Sequence, residues 1–80
     1  MKIRVHIALK NGVLDPQGKA ISNALGSLGF AGINNVRQGK FIEIDVAENN
    51  PDKAREAAEA MCRKLLANTV IEDYQIDLEP

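Results

Sequence analysis

Residues 61–74 read MCRKLLANTVIEDY, a run in which apolar side chains at helical spacing give way to alternation after Asn68. Asn tolerates the left-handed conformation that ends many helices, so Asn68 is expected to stop the helix. Leu65 and Leu66 continue the apolar stripe and are both expected to be buried. The segment therefore predicts a packed helix that turns directly into a closing strand around Tyr74.

Two cap signals place the starts of the helices. Asn50 followed by Pro51 opens the second helix, because Asn caps helix N-termini and proline suits the first helical position. Asp15 followed by Pro16 gives the same signal earlier, and Gly29 is expected to end that first helix. The apolar stripes are Ala20, Ile21, Ala24, Leu25 and Leu28 in the first helix, and Ala54, Ala57, Ala58, Met61 and Cys62 in the second.

Four strands are predicted, and in three of them apolar and polar residues alternate with a period of two, which indicates one wet face. The four are Lys2–Lys10, Ile33–Gln38, Phe41–Ala47 and Asp73–Glu79, of which Ile33–Gln38 does not alternate. A tight turn at Gly39-Lys40 joins the middle two as an antiparallel hairpin. We predict an α+β fold in the order β-α-β-β-α-β, with two helices on one face of an antiparallel four-stranded sheet, as in ferredoxin-like domains.

Size and charge narrow the classes of function. Eighty residues make one domain, 1–80, with a small core. Cys62 is the only cysteine, so no internal disulfide is available, and a single histidine leaves no zinc ligand set. Oligomerisation is the remaining route to stability.

Ten basic and eleven acidic residues give no net attraction to nucleic acid or anionic membranes. Without an apolar run or signal-peptide pattern, we expect a cytoplasmic protein.

The residue types that carry catalysis are isolated in this sequence. His6 falls on the polar face of the first strand with no patterned nucleophile, and Cys62 lies in an apolar stripe, as a buried structural thiol does. The turn at 12–19 opens a helix but lacks the closing Gly-Lys-Ser/Thr of a P-loop. Glu43 and Asp45 are interpreted as solubilising residues of an outer strand face. We therefore expect no catalytic, metal or cofactor-binding residue.

Partner contacts are expected in the exposed turns, since binding residues collect on loops held by a rigid scaffold. Two turns stand out, at 15–18 and at 37–40, and the second carries an Arg whose planar fork suits a carboxylate or carbonyl. The partner-contact candidates are Asp15, Gln17, Arg37, Gln38 and Lys40.

Four stretches together resemble the PurS family, the small subunit of phosphoribosylformylglycinamidine (FGAM) synthase in de novo purine synthesis. They are LKNGVLDPQG at 9–18, LGF at 28–30, VRQGK at 36–40 and MCRKLLANTVIEDY at 61–74. The resemblance implies a cytoplasmic accessory subunit that forms a homodimer or a dimer of dimers. It also implies two partners, a large synthetase subunit and a glutaminase subunit, and support of ammonia transfer between them. ATP and Mg would be used by the large subunit, and the isolated chain would not catalyse.

The main alternative is a ligand-sensing regulatory domain of the ACT type, which shares the element order and binds small molecules at a dimer interface. An acylphosphatase-like hydrolase fits less well, because residues 10–13 lack the Arg that its anion-binding loop needs.

Overall fold

The structure, a computed structural model, describes residues 1–80. Its elements are strand β1 (Lys2–Leu9), helix α1 (Pro16–Ser27), strand β2 (Gly39–Asp45), helix α2 (Pro51–Met61), a π-helical turn (Cys62–Leu66) and strand β3 (Glu72–Glu79). The predicted α+β class is confirmed. Neither helix has the length and apolar character needed to cross a membrane.

Strand β1 lies at the centre of an antiparallel sheet with the order β2-β1-β3. Val5 is paired with Ile42 on one side and with Ile76 on the other. Three inward side chains of β1, those of Ile3, Val5 and Ile7, are no more than 2% exposed. Helix α2 covers them with small residues, which allow the helix to approach the sheet closely. The core consists of Ile3, Val5, Ile7, Ala58, Cys62, Ala67 and Ile76.

The predicted strand at Ile33–Gln38 is wrong, because these residues form no ladder and the sheet has three strands. The backbone carbonyl of Val36 instead lies against Gly18 of α1. Neighbouring Asn34 and Asn35 have low strand propensity, so little in the segment competes with that contact.

The predicted hairpin turn at Gly39-Lys40 is also wrong. Gly39 pairs with Ala8 and Lys40 pairs with Ile7, so both residues belong to β2. A side chain on Gly39 would collide with the carbonyl oxygen of Ile7. This glycine therefore permits close strand pairing rather than a turn.

The prediction that both helices pack on the sheet holds only for α2. No side chain of α1 is buried, and Gly18 is the one buried residue of that helix. We call residues 10–38 the arm, because they leave the sheet after β1 and return at β2. The radius of gyration is 15.9 Å, against about 12 Å for a compact chain of this length. The arm thus gives the molecule an elongated shape of 48 × 25 × 15 Å.

The predicted caps form at three of four helix ends. The side chain of Asp15 accepts a hydrogen bond from the Gly18 amide, and that of Asn50 accepts from the amides of Asp52 and Lys53. Gly29 follows α1 with a φ of +93°, the left-handed conformation expected after a helix end.

Asn68 differs from its prediction, since no residue other than glycine has a positive φ. The helical run ends one residue earlier, at Ala67, which is extended. The side-chain oxygen of Asn68 accepts a hydrogen bond from the Val70 backbone amide at 3.2 Å. The backbone amide of Asn68 donates to a carboxylate oxygen of Glu72. Asn68 thus shapes the turn into β3 as an Asx turn.

The prediction that Leu65 is buried is wrong, since its exposure is 83%. The end of the second helix is π-helical, with the Ala67 amide donating to the Cys62 carbonyl at 3.0 Å, a five-residue spacing. Each residue turns by about 100° in an α-helix and by roughly 85° in a π-helix. Over three residues from Cys62, Leu65 rotates away from the sheet, while Leu66 packs against the core.

This rotation predicts opposite outcomes for two neighbouring leucines. Leu65→Ala should change the free energy of unfolding by less than about 0.5 kcal/mol, as exposed substitutions do. Leu66→Ala should lower it by about 1–2 kcal/mol, a part of the loss for a fully buried Leu. Urea denaturation followed by circular dichroism compares the two variants. Equal losses at both positions would contradict the π-helical turn.

Candidate docking site at the base of the arm

The base of the arm is where the chain leaving β1 meets the chain returning to β2. Asp15 and Arg37 lie there, 22 positions apart in the sequence, and each bonds across the gap between the two chains. The two predicted contact turns are therefore brought together at one place.

The Asp15 carboxylate binds two backbone amides, one from each side of the base. Oδ1 accepts from the Gly18 amide at 2.9 Å, and Oδ2 accepts from the Gln38 amide at 2.8 Å. These bonds, first that of Gly18 and then that of Gln38, hold the pKa of Asp15 below its ordinary value. Their stabilisation is therefore fully present above the ordinary Asp pKa of about 3.9 and is lost as the pH falls through the lower folded value.

Arg37 holds the opposite side of the base. Its Nη2 donates to the carbonyl oxygens of Leu9 at 2.6 Å and of Lys10 at 2.8 Å, so one terminal nitrogen uses both of its protons. The guanidinium thus ties the returning chain to the end of β1. We call Asp15 and Arg37, with these four hydrogen bonds, the latch.

Gly18 allows the two chains to meet. A Cβ atom on this residue would collide with the carbonyl oxygen of Val36, and a backbone atom cannot move aside without shifting the returning chain. Gly26, further along α1, has open space around it. Glycine is a weak helix former at both positions, but close packing requires it at 18 and does not require it at 26.

A cleft of about 390 Å³ opens beside the latch. It brings together four of the five predicted contact residues, and Arg37 lies with Asp15 in an adjoining cavity of about 310 Å³. At the far wall the Lys40 ammonium is 3.8 Å from a carboxylate oxygen of Glu72. The predicted contact residues lining the cleft are Asp15, Gln17, Gln38 and Lys40.

His6 and Cys62 lie away from this cleft and on opposite faces of β1. The His6 ring is 4.8 Å from the ring of Phe41, and its Nε2 is 3.6 Å from a carboxylate oxygen of Asp77 on the polar face of the sheet. Cys62 is fully buried in the core. Burial, and then the nearby Glu59 carboxylate, raise the pKa of its thiol, which keeps it in the less reactive protonated form.

The exposed apolar side chains of the arm were missed in the sequence. Leu14 is 71% exposed, Leu28 74% and Phe30 60%. The stripe of α1 was interpreted as a core-facing one because its spacing is that of any amphipathic helix. Helical spacing shows that a face is apolar, but it does not show which chain covers that face.

The fold and the site define a class of small α+β domain: a three-stranded sheet covered by one helix, with an apolar arm held at its base by a latch. A protein-family model for PurS, described as phosphoribosylformylglycinamidine (FGAM) synthase, matches residues 2–80. The chain therefore belongs to the PurS family, and the resemblance drawn from the sequence is confirmed.

Individual relatives agree over nearly the whole length. The PurS subunit of phosphoribosylformylglycinamidine synthase from Methanocaldococcus jannaschii is 47% identical over 98% of this chain and 94% of its own. PurS from Bacillus subtilis superposes with a TM-score of 0.88 at 43% identity, over 99% of this chain and 98% of its own. A chain in the structure of PurLQS from Thermotoga maritima superposes with a TM-score of 0.86 at 31% identity, over 95% and 93%.

The two glycines of α1 give a matched test of the arm base. Gly26→Ala should slow hydrogen exchange of the α1 amides about fivefold, because alanine favours the helix by about 1 kcal/mol and meets no atom there. Gly18→Ala should speed exchange of the same amides, because the added methyl collides with the Val36 carbonyl. Exchange measured by NMR on both variants decides the point. Slower exchange in Gly18→Ala would contradict the close approach at the base.

Proposed function

We propose that this chain is the accessory subunit of the phosphoribosylformylglycinamidine synthase complex of purine biosynthesis. In this proposal it joins an ATP-dependent synthetase subunit to a glutaminase subunit in the cytoplasm and supports the transfer of ammonia between them. The observation that carries the proposal is the full-length likeness to a chain of PurLQS, since the name of that structure joins PurS with two further subunits.

We further propose that the chain contributes contacts rather than chemistry to this ligase. ATP and Mg are used by the synthetase subunit. In support, the charged groups nearest the cleft serve the fold: Asp15 caps α1, Arg37 binds two carbonyls, and Lys40 faces Glu72. The one thiol is buried and protonated. Each of the three charged groups has a structural partner, and the Lys40 ammonium stays exposed enough to meet a second one.

The working form in this proposal is a homodimer, alone or as half of a dimer of dimers. Only 9 of the 80 residues are buried, and the inward residues Ile42, Ile44 and Val46 are only partly covered. The arm carries exposed apolar side chains of its own. Packing the arm of each copy beside β2 of the other covers both surfaces, and twofold symmetry makes each contact twice. Fully burying one Leu or Phe contributes about 1.5–3 kcal/mol.

The cleft at the base of the arm is the proposed docking site for a larger subunit. Gln17, Gln38 and Lys40 line its open side, and their side chains offer amide groups and a cation. Asp15 and Arg37 hold the two walls together. The cleft is thus a polar surface on a rigid support, which is the setting in which binding residues usually lie.

The arm interface predicts a change of oligomeric state on substitution. Leu28→Ser combined with Phe30→Ser should convert the dimer to monomer at micromolar concentration, because both apolar side chains leave the interface. Leu65→Ser is the matched control, since the Leu65 side chain is at least as exposed as those of Leu28 and Phe30 but lies outside the arm. Light scattering gives the mass of each variant. A wild-type chain that is monomeric at this concentration would refute the homodimer.

The docking cleft predicts a loss of assembly without a loss of folding. Gln17→Ala combined with Lys40→Ala should weaken binding to the synthetase and glutaminase subunits and lower glutamine-dependent product formation several-fold. Both residues are exposed, so the melting temperature should change little. Lys53→Ala, at an exposed position of α2, is the control. Gel filtration and turnover in the three-subunit mixture make the comparison. Wild-type assembly by the double variant would exclude this cleft.

A further inference from the structure

The arm has no buried apolar side chain that could fix its direction relative to the sheet. Its helix buries no side chain, and its one buried residue is a glycine in contact with the backbone of the arm itself. Across the base, the outgoing and returning chains are joined by hydrogen bonds from Asp15 and Arg37. Hydrogen bonds therefore hold the arm in position, whereas apolar packing holds the sheet and α2.

We infer that the latch of Asp15 and Arg37 sets the direction of the arm and so controls how tightly a second copy of this chain binds. This inference rests on the proposed homodimer. Asp15 and Arg37 act in it as positioning residues, because they meet backbone groups of their own chain and not the partner.

The two residues restrict different motions of the arm. Asp15 joins the first turn of α1 to the returning chain at Gln38, which prevents the helix from swinging away from that chain. Arg37 joins the returning chain to the last residues before the arm, Leu9 and Lys10, which prevents the whole arm from pivoting about the end of β1. Both restraints involve a charged group, and such hydrogen bonds are stronger than those between neutral groups.

A preoriented arm favours binding because its freedom does not have to be lost when the second copy docks. With the latch broken, the arm samples many directions, and only some of them bring it to the partly covered inward residues of β2 in the partner. Because both copies of the dimer must have a competent arm, the affinity then falls with the square of the fraction of molecules whose arm is competent. The apolar residues that make the contact are unchanged.

Asp15→Asn separates the latch from the helix cap. The Asn oxygen still accepts from the Gly18 amide, as Asn is a good N-cap. Its NH2 group faces the Gln38 amide and cannot accept from it. Arg37→Met removes the other half of the latch but keeps most of the apolar stem, and Arg37→Lys restores a cation that donates to two carbonyls. The controls, Asp77→Asn and Arg63→Met, remove the same charges at exposed sites outside both the arm and β2.

The direction of the arm is measured as the distance between spin labels at Asn23→Cys on α1 and Gln75→Cys on β3, both exposed positions. The background carries Cys62→Ala, to leave no other thiol, and Leu28→Ser with Phe30→Ser, to remove the second copy. We expect one narrow distance distribution with the latch intact, a broad one in Asp15→Asn and Arg37→Met, and a narrow one again in Arg37→Lys.

The affinity is measured in chains that retain Leu28 and Phe30. Asp15→Asn and Arg37→Met should raise the dimer dissociation constant about tenfold or more. Arg37→Lys should restore most of it, and the controls should match wild type. Narrow distributions in both latch variants would overturn the inference, and so would broad distributions with unchanged dimer affinity.

The outcome is distinguishable from failure of the proposed function. If wild type joins the three-subunit complex and the latch variants dimerise like it, the latch inference is wrong and the proposed function stands. If wild type neither dimerises nor joins the complex, the proposed function is wrong, and the control of affinity falls with it. The distance distributions then still decide whether the latch orients the arm.

Discussion

The burial of one face of β1 is the interaction on which the rest of this structure depends. Ile3, Val5 and Ile7 are at most 2% exposed, because strands pair with β1 on both edges and α2 covers it. Every other core residue packs around this row. Alanines at 54 and 58 let α2 approach closely, and Cys62 fills the next turn of the same face. The inward rows of β2 and β3 are covered less completely, because α2 is the only helix on that face.

Because the core is small, it includes only the sheet and α2, and the arm is held by a different kind of interaction. The sheet and α2 are held together by apolar burial, which is insensitive to small changes of direction. The arm is held at its base by hydrogen bonds from Asp15 and Arg37, which are sensitive to direction, and by a close backbone contact at Gly18. The apolar surface that the chain cannot cover by itself is carried by the arm. In the proposed function, covering that surface and joining other subunits are parts of one process.

The polar face of the sheet has a different role from the arm. The cations of β1 alternate with carboxylates of the outer strands, so that Arg4 faces both Glu43 and Glu79. Such exposed pairs contribute little to stability. They do keep this face of the sheet charged, which disfavours its burial against an apolar surface. In the proposed function, the selective contacts are made by the arm and by the cleft at its base.

Local chemistry in the sequence was sufficient for much of the fold. Proline after Asp15 and after Asn50 marked both helix starts, alternation marked β1 and β3, and the apolar stripe of α2 marked the face that packs. These signals act between residues close in the sequence, so at these positions they depend little on which distant segments pack against them. The sequence also placed the contact candidates Gln17 and Lys40 on exposed positions, and its resemblance to PurS identified the family.

Tertiary structure alone decided where the remaining segments went. Ile33–Gln38 is predicted as a strand, but its backbone meets Gly18 and not a neighbouring strand. Leu65 has the spacing of a core residue, but one π-helical turn rotates it outward, and propensity does not encode such a turn. Arg37 and Asp15 are predicted as partner contacts, yet both bind backbone groups far away in the sequence, and Asp15 also binds the nearby Gly18 amide. Each difference has the same physical reason: the partner of a polar or apolar group is chosen by the folded geometry, whereas the sequence pattern shows only that a partner is needed.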